Sequence, residues 1–524
     1  MKRRDVLKLS AASLFAAVGP GCASTSKIPP LLANAQKTQA WNTVLTASPG
    51  DFDHQVHKSA IDGVIPMALR NKRYLLNGPG RVAYNRYVAH PFDGHGYLRD
   101  FSFDDDGGVS LRARFVRTPS FVVEEKHQQV VVPGLGTLPE PGAPEVNVQV
   151  RNVANTTVVP YAGKWLAGWE GGLPYALDPA TMRTTGAERF GDVLPGEGAT
   201  LAHMRIDPVS GRLVTLSPTL GMKTGLVFNE FNADGQVVST TTTEYDGMAF
   251  IHDFVVTPSH YILSKNPMTA DLVAFAKAQM GVDVLLKALA ADREQPGGLV
   301  VVPRSGQKGA PLTVVNFDVP AYVVHFGNAF EVGQGDGRHD LVVDMCAMPD
   351  VVFGNEFGYR GPRAELDPGL PDERQPQQVL RVSIPVDGAR VATSASPKRI
   401  ATHAMDFPRV ALDQEGQNAP FLIAATSADT RRSDPFDSVA YVDLQDLERD
   451  ETVWTPGQHR FVGEPVLFPA DDAKSKGFVV AMVYDGLKAS STLVVLDAGA
   501  IDKGPIASAT FPLLPYGFHG WPVV

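Results

Sequence analysis

From about residue 40 onward, short runs of β-branched, aromatic and aliphatic residues recur roughly every ten residues, each bounded by Gly, Pro, Asp or Asn. Such runs stand at 110–117, 128–132, 146–150, 164–169, 213–216, 226–229 and 237–243, then at 249–256, 261–263, 299–302, 321–326 and 341–345, and again at 379–385, 421–425, 477–484 and 491–497. Strands this short, joined by turns this frequent, specify an all-β sandwich, barrel or propeller. An unbroken series of this length favours a propeller, whose blades are four-stranded sheets. The 49 glycines and 41 prolines supply the turn chemistry. No repeat of WD or kelch type is legible, so the blades of such a propeller differ in sequence.

Two stretches depart from the strand pattern. Across 268–290, Leu272, Val273, Phe275, Ala276, Met280, Val282, Leu285, Leu286 and Leu289 recur near helical spacing, with Asp271, Lys277, Asp283 and Lys287 between them. This predicts an amphipathic helix inserted between two strands. It either caps the domain or turns its apolar face to a membrane or a substrate entrance. The Pro- and Gly-rich stretches 133–144 and 361–376 read as loops, because the same strand pattern resumes after each. One domain is expected over 36–524.

The first residues have a different character. Lys2-Arg3-Arg4 precedes an apolar stretch over 9–18, too short to span a bilayer, which needs about 20 residues. Residues 1–35 therefore read as a twin-arginine-type signal segment, cleaved near 22 or 35, that exports the folded chain to the periplasm or another extracytoplasmic space. Gly19-Pro20-Gly21-Cys22 leaves a lipid anchor at Cys22 open. Besides Cys22 there is only Cys346, in an apolar run, so no disulfide scaffold or Cys-rich zinc site is available. Cys346 is expected to be a buried core thiol. A net charge of −10, with no basic stripe, argues against a nucleic-acid partner.

No two of the 13 histidines form a local metal motif. A metal site would have to be assembled from distant strands, and composition alone does not say from which. Four segments are informative together: Ala202-His203-Met204-Arg205-Ile206-Asp207-Pro208, Phe250-Ile251-His252-Asp253-Phe254, His325-Phe326-Gly327-Asn328-Ala329-Phe330-Glu331, and Gly517-Phe518-His519-Gly520. In order and in content they resemble segments of the carotenoid cleavage oxygenase family. Further matches occur at 92–98, 155–158, 170–179, 406–409, 463–466 and 493–498. His95 stands where that family usually has Asp.

The resemblance implies a seven-bladed β-propeller with a helical and loop cap over an iron-bearing axial face. It implies His203, His252, His325 and His519 as ligands of Fe(II). It further implies that three carboxylates, Glu170, Asp406 and Glu464, orient those rings. Asp406 is one methylene shorter than the family's glutamate and needs a shifted backbone, or a water, to reach its histidine. The implied activity is oxidative cleavage by O₂ of a C=C bond in a carotenoid or apocarotenoid, giving two carbonyl products. A lignostilbene or phenylpropanoid alkene is the alternative substrate, and a non-cleaving isomerohydrolase-like enzyme or a metal-free binding propeller are the rival readings. Phe326, Phe518, Trp521 and Trp169 are candidates for an apolar substrate tunnel. Lignostilbene cleavers hold the substrate phenol with a lysine beside the first glutamate, and Trp169 in that place leans against stilbenes. Glu331 reads equally as a structural strand-end carboxylate, and His90, His260, His339, His403 and His459 as structural or surface residues.

Overall fold

The computed structural model describes residues 30–524 apart from 85–86, 149–150, 192, 195–198, 220–222, 248–249, 352–376, 430–434 and 471–474. The signal segment's basic and apolar parts, Cys22 and the loop at 361–376 lie outside the described residues. Apart from two small two-stranded ribbons, the strands assemble into seven antiparallel sheets that form a β-propeller. In chain order, blade 1 spans Val158–Ala187, blade 2 Arg205–Asp246 and blade 3 Phe254–Asn316. Blade 4 spans Tyr322–Arg399, blade 5 Met405–Trp454 and blade 6 Arg460–Pro512, the last with Asp62–Gly63 added at its edge. Blade 7 is made from both ends of the domain: strands between Phe52 and Phe115 accept Gly520–Val523, with Leu75 opposite Trp521. This pairing closes the ring and removes the open edge that a linear array would expose.

Each sheet buries both faces against its neighbours, which is why so many strands read as near-continuous apolar runs. The core is accordingly a ring of inter-blade clusters. Val159, Leu166 and Leu213 pack between blades 1 and 2, and Val214, Phe228 and Tyr261 between 2 and 3. Ile262, Val301 and Met345 fill the 3–4 seam, and Cys346, Leu422 and Ala440 the 4–5 seam. Ile423, Val479 and Leu496 fill 5–6, Phe101, Phe468 and Phe511 fill 6–7, and Leu75, Leu98 and Trp165 return to blade 1. Cys346 is buried and free, and burial pushes its thiol well up, so it is the inert core thiol the sequence suggested.

Three α-helices occur among the described residues, and none is long and apolar enough to cross a membrane. Helix α1 (Pro30–Leu45) seats Trp41 edge-on against Phe461 and Tyr516. Helix α2 (Pro119–His127) begins at Thr118, whose hydroxyl accepts the Phe121 N–H, with Pro119 at the first helical position. Its end corrects one sequence reading. Gln128 is left-handed (φ 52°), and the amides of Val130, Val131 and Val132 go to the carboxylates of Glu140 and Glu124, so 128–132 is not a strand. No strand forms at 146–148 either.

The insertion at 268–290 is also corrected. Only Leu272–Gln279 is α-helical (α3), started by Asp271, whose side chain accepts the amides of Val273 and Ala274, and stopped by Gly281 at φ 68°; a separate 3-10 turn follows at Leu285–Ala288. Met268–Ala270 and Leu289–Ala291 pair as a two-stranded ribbon at its base. Leu272, Val273, Phe275, Met280 and Val282 are exposed, so α3 does not pack down as a cap.

A fully buried polar network ties α2 to blade 7. Glu124 accepts from Tyr84 Oη (3.0 Å), from His95 Nε2 (2.8 Å) and from Arg151. Burial, followed by the charge of Arg151, holds His95 down at about 4 although Glu124 pulls the other way. His95 therefore folds neutral, while the unfolded chain protonates it below about 6.5. The folded value is depressed, so this stability is complete above about 6.5 and is lost as pH falls toward 4. The loss is on the order of 3 kcal/mol. Equilibrium unfolding at a series of pH values across that window should show a slope in the wild type that His95→Asn flattens by about one proton.

Candidate metal centre

The four histidines of the sequence analysis meet on the propeller axis. His203, His252 and His519 each lie one or two residues before an edge strand (Arg205–Ile206, Phe254–Val256 and Gly520–Val523), and His325 lies within the edge strand Tyr322–Gly335. Blades 2, 3, 7 and 4 thus supply one imidazole each. The remaining blades supply the carboxylates: Glu170 from the turn between two strands of blade 1, Asp406 from blade 5 and Glu464 from blade 6. Every blade contributes one group to the centre.

Ligand atoms of the four rings all lie within 4.8 Å of one another. His252 Nε2 is 3.3 Å from His203 Nε2 and 3.2 Å from His325 Nε2. Behind the rings, Glu170 Oε1 lies 3.2 Å from His252 Nδ1, Asp406 Oδ1 2.8 Å from His325 Nδ1, and Glu464 Oε1 3.1 Å from His519 Nδ1. An ionised carboxylate only accepts, so the Nδ1 atoms of His325 and His519 carry the proton and their Nε2 atoms present lone pairs. Glu170 faces His252 Nδ1 as a close charge contact that favours the same tautomer. Lone pairs facing each other at such separations repel unless a cation lies between them. Two nitrogens 3.2 Å apart at a metal–imidazole bond length of about 2.1 Å subtend about 100°, an ordinary ligand angle. The donor set fits a divalent transition metal, for which imidazole is suited.

Titration preferences agree with this arrangement. Burial first, then the neighbouring His519, His252 and His325, lowers His203 well below the usual imidazole range. Burial also lowers His519, outweighing the pull of Glu464. At His252 burial acts downward, but Glu170 overcomes it and the ring is raised, so a metal competes with a proton there. Asp406 and Glu464 stay below the usual carboxylate range despite burial, through His325 for the first and through Arg409 and His519 for the second.

His203 has no carboxylate of its own. Asp253 is 3.8 Å from its Nδ1, beyond hydrogen-bond reach, and is held by two bonds from Arg205 and by the amides of Phe254 and Phe326. The short side chain of Asp406 reaches His325 directly, at 2.8 Å. The ladder of blade 5 changes register between Asp406 and Arg409, and Phe407 sits at φ 54°, rare for a non-glycine residue. The Phe407 amide (2.8 Å) and Gln377 Nε2 (3.1 Å) complete its bonds. Asp406→Asn keeps an acceptor but removes the charge, and metal affinity should fall about 10–100-fold with the melting transition retained. A chelator-competition titration reads this.

A cavity of about 210 Å³ opens onto His252, His325 and His519, and its surface is mainly apolar. Trp169 and Phe518 line it together with Phe92, Phe250, Leu286 and Phe436. Phe326 and Trp521 do not. Successive strand residues point to opposite faces, so with His325 toward the axis Phe326 enters the core between blades 3 and 4. Trp521 packs against the clusters flanking blade 1. Adjacency to a ligand in sequence carried no information about which side each ring would take. Conversely, Trp41 of α1, Met268 and Leu286 line the cavity from distant segments, and no local signal marks them.

Comparisons with known proteins agree with this geometry. Residues 48–523 match the family described as retinal pigment epithelial membrane protein. The chain is 29% identical over 512 residues to the apocarotenoid-15,15'-oxygenase of Synechocystis, covering 94% of this chain and 98% of that protein. It is 30% identical over 532 residues to carotenoid cleavage dioxygenase 7 of rice, covering 88% and 87%. It is 27% identical over 495 residues to the isoeugenol monooxygenase of Pseudomonas putida, covering 91% and 96%. Among solved structures, cobalt-substituted Synechocystis apocarotenoid oxygenase superposes with a TM-score of 0.81 at 27% identity, over 93% of this chain and 98% of that one. Seven blades, four convergent imidazoles and these likenesses along nearly the whole chain give one answer: the protein belongs to the carotenoid cleavage oxygenase family.

Proposed function

We propose that this protein is an Fe(II)-dependent dioxygenase that cleaves a C=C bond of a carotenoid or apocarotenoid with O₂, giving two carbonyl products. The observation that carries the reading is the set of unprotonated Nε2 atoms converging at the end of an apolar cavity. Bound iron would supply the activation of dioxygen that a polypeptide lacks. The protein's own part is positional. Glu170, Asp406 and Glu464 fix ring orientation, Trp169 and Phe518 offer apolar walls beside the ligands, and the enclosing aromatic side chains exclude water. Trp169 beside Glu170 cannot pair with a phenolate, which disfavours a hydroxystilbene. A phenylpropanoid alkene is the second reading, on the strength of the isoeugenol monooxygenase relative. Incubating the iron-loaded protein separately with a β-carotene-derived apocarotenal and a 4-hydroxystilbene, and identifying aldehyde products by mass spectrometry, tests both. Aldehydes from the apocarotenal alone are expected. Products from the stilbene alone would transfer the assignment to the second reading, and iron-independent products would end it.

The proposal extends to where the substrate comes from. Met268 and Leu286, at the two ends of the 268–291 insertion, line the cavity, while Leu272, Val273, Phe275, Met280 and Val282 between them face solvent. Such an exposed apolar patch beside the cavity suits peripheral contact with a membrane that holds an apolar substrate. Flotation with phosphatidylcholine vesicles should recover the wild type, and Leu272→Asp/Phe275→Asp should lower the bound fraction about tenfold or more. Equal flotation of both would dismiss the contact. Arg3-Arg4 and the apolar stretch 9–18 support export of the folded chain by a twin-arginine-type route. Cleavage near residue 22 leaves α1 whole, whereas cleavage after Ala35 would remove its first six residues.

A further inference from the structure

Among the described residues, one other group of metal-ligating side chains is drawn tightly together: His260, Glu331 and His339, whose ligand atoms all lie within 4.8 Å of one another. His260 opens the strand His260–Lys265 of blade 3. Glu331 and His339 lie on the paired strands of blade 4, where Gly333 is opposite His339. The group therefore bridges two blades.

Its protonation follows from the hydrogen bonds. Ser259 directs its amide (2.8 Å) and its hydroxyl (2.6 Å) to Glu331 Oε1. That hydroxyl has one proton, which the carboxylate takes, so it can only accept from His260 Nδ1, 2.7 Å away. His260 Nδ1 is thus the protonated nitrogen and Nε2 carries the lone pair. A hydroxyl or carboxylate fixing the tautomer of one ligand while also holding a second is the outer-shell pattern of built metal sites. An independent observation is that His339 Nε2 is buried with no hydrogen-bond partner, an arrangement that native proteins rarely leave unmet.

We propose that His260, Glu331 and His339 bind a zinc ion as a clamp between blades 3 and 4. Two imidazoles and one carboxylate, with water as fourth ligand, suit zinc better than calcium or magnesium, which prefer oxygen alone. The clamp lies on the elements that carry the iron ligands: Glu331 shares a strand with His325, and His260 follows the strand that His252 precedes. Zinc here would fix the relative placement of two of the four imidazoles without touching the centre itself.

The test titrates zinc chloride into the iron-loaded full-length protein against a chromophoric chelator, with iron measured by elemental analysis on the same samples. Expected are one equivalent of tightly bound zinc, unchanged iron, and a raised melting temperature. His339→Gln and His260→Gln should each weaken zinc at least about tenfold, and Ser259→Ala about tenfold, with iron content unaltered. The proposal is overturned if zinc binds only as iron leaves, if no equivalent is taken up, or if both glutamine variants bind zinc as the wild type does. Should His339→Gln fail to fold, His260→Gln alone decides.

Discussion

His325→Ala is expected to bring iron content and turnover to background together, while the melting transition persists. His325 is held from behind by Asp406 at 2.8 Å and presents Nε2 3.2 Å from that of His252, so it is the corner joining blade 4 to the centre. Alanine removes the lone pair and also strands Asp406, a buried carboxylate that loses the hydrogen bond donated by that ring. Losing an outer-shell partner costs about 10–100-fold in metal affinity, and losing a ligand should exceed that. Iron per chain by elemental analysis, and turnover measured with excess Fe(II), separate weak binding from none. Stoichiometric iron with full turnover would remove His325 from the ligand set.

Arg151→Met should be the most damaging substitution outside the centre, destabilising the fold by about 3–5 kcal/mol. Arg151 is buried and donates to the Asp93 and Val132 carbonyls (3.0 Å each) as well as to Glu124. Met fills much of the volume but leaves Glu124 charged and enclosed. Glu124 also accepts from the Val131 and Val132 amides, so it cannot withdraw to solvent. Arg151→Met/Glu124→Gln should recover part of the loss, because a neutral amide oxygen keeps those acceptor roles without a buried charge. Denaturant unfolding of both variants checks the ordering. A single variant as stable as the wild type would mean that Glu124 picks up a proton at little cost.

The strand rhythm revealed the all-β propeller because blades buried on both faces need apolar runs whatever their neighbours. The histidines were a different matter. Their local contexts were legible through family resemblance, but their convergence depends on blades far apart in sequence, which no local pattern encodes. Asp406 shows the limit well: one methylene too short on paper, it touches its ring directly, just before a bulge and a left-handed Phe407. The 268–290 stretch failed for a related reason. Its apolar spacing suits one helix, yet strand pairing at 268–270 and 289–291 leaves an α-helix only at Leu272–Gln279 and a 3-10 turn at Leu285–Ala288. Phe326 and Trp521 were assigned by nearness in sequence to a ligand, and side-chain alternation sent the first to a core. His260, Glu331 and His339 carried no signal as a group, since each was unremarkable where it stood.

Ring closure by Gly520–Val523 on a strand that begins at Arg73 also sets a timetable. During synthesis the first strands of blade 7 emerge early and can pair with one another, but the outer edge of Arg73–Leu76 must wait until Gly520–Val523 is made. Non-local pairing of this kind slows folding and exposes edges meanwhile. Because His519 immediately precedes the closing strand, the metal centre gains its fourth imidazole only in that final act. Metal uptake thereby becomes a check on completeness: a chain that is unfinished or clipped near this end has a ring still open and nowhere to keep its metal.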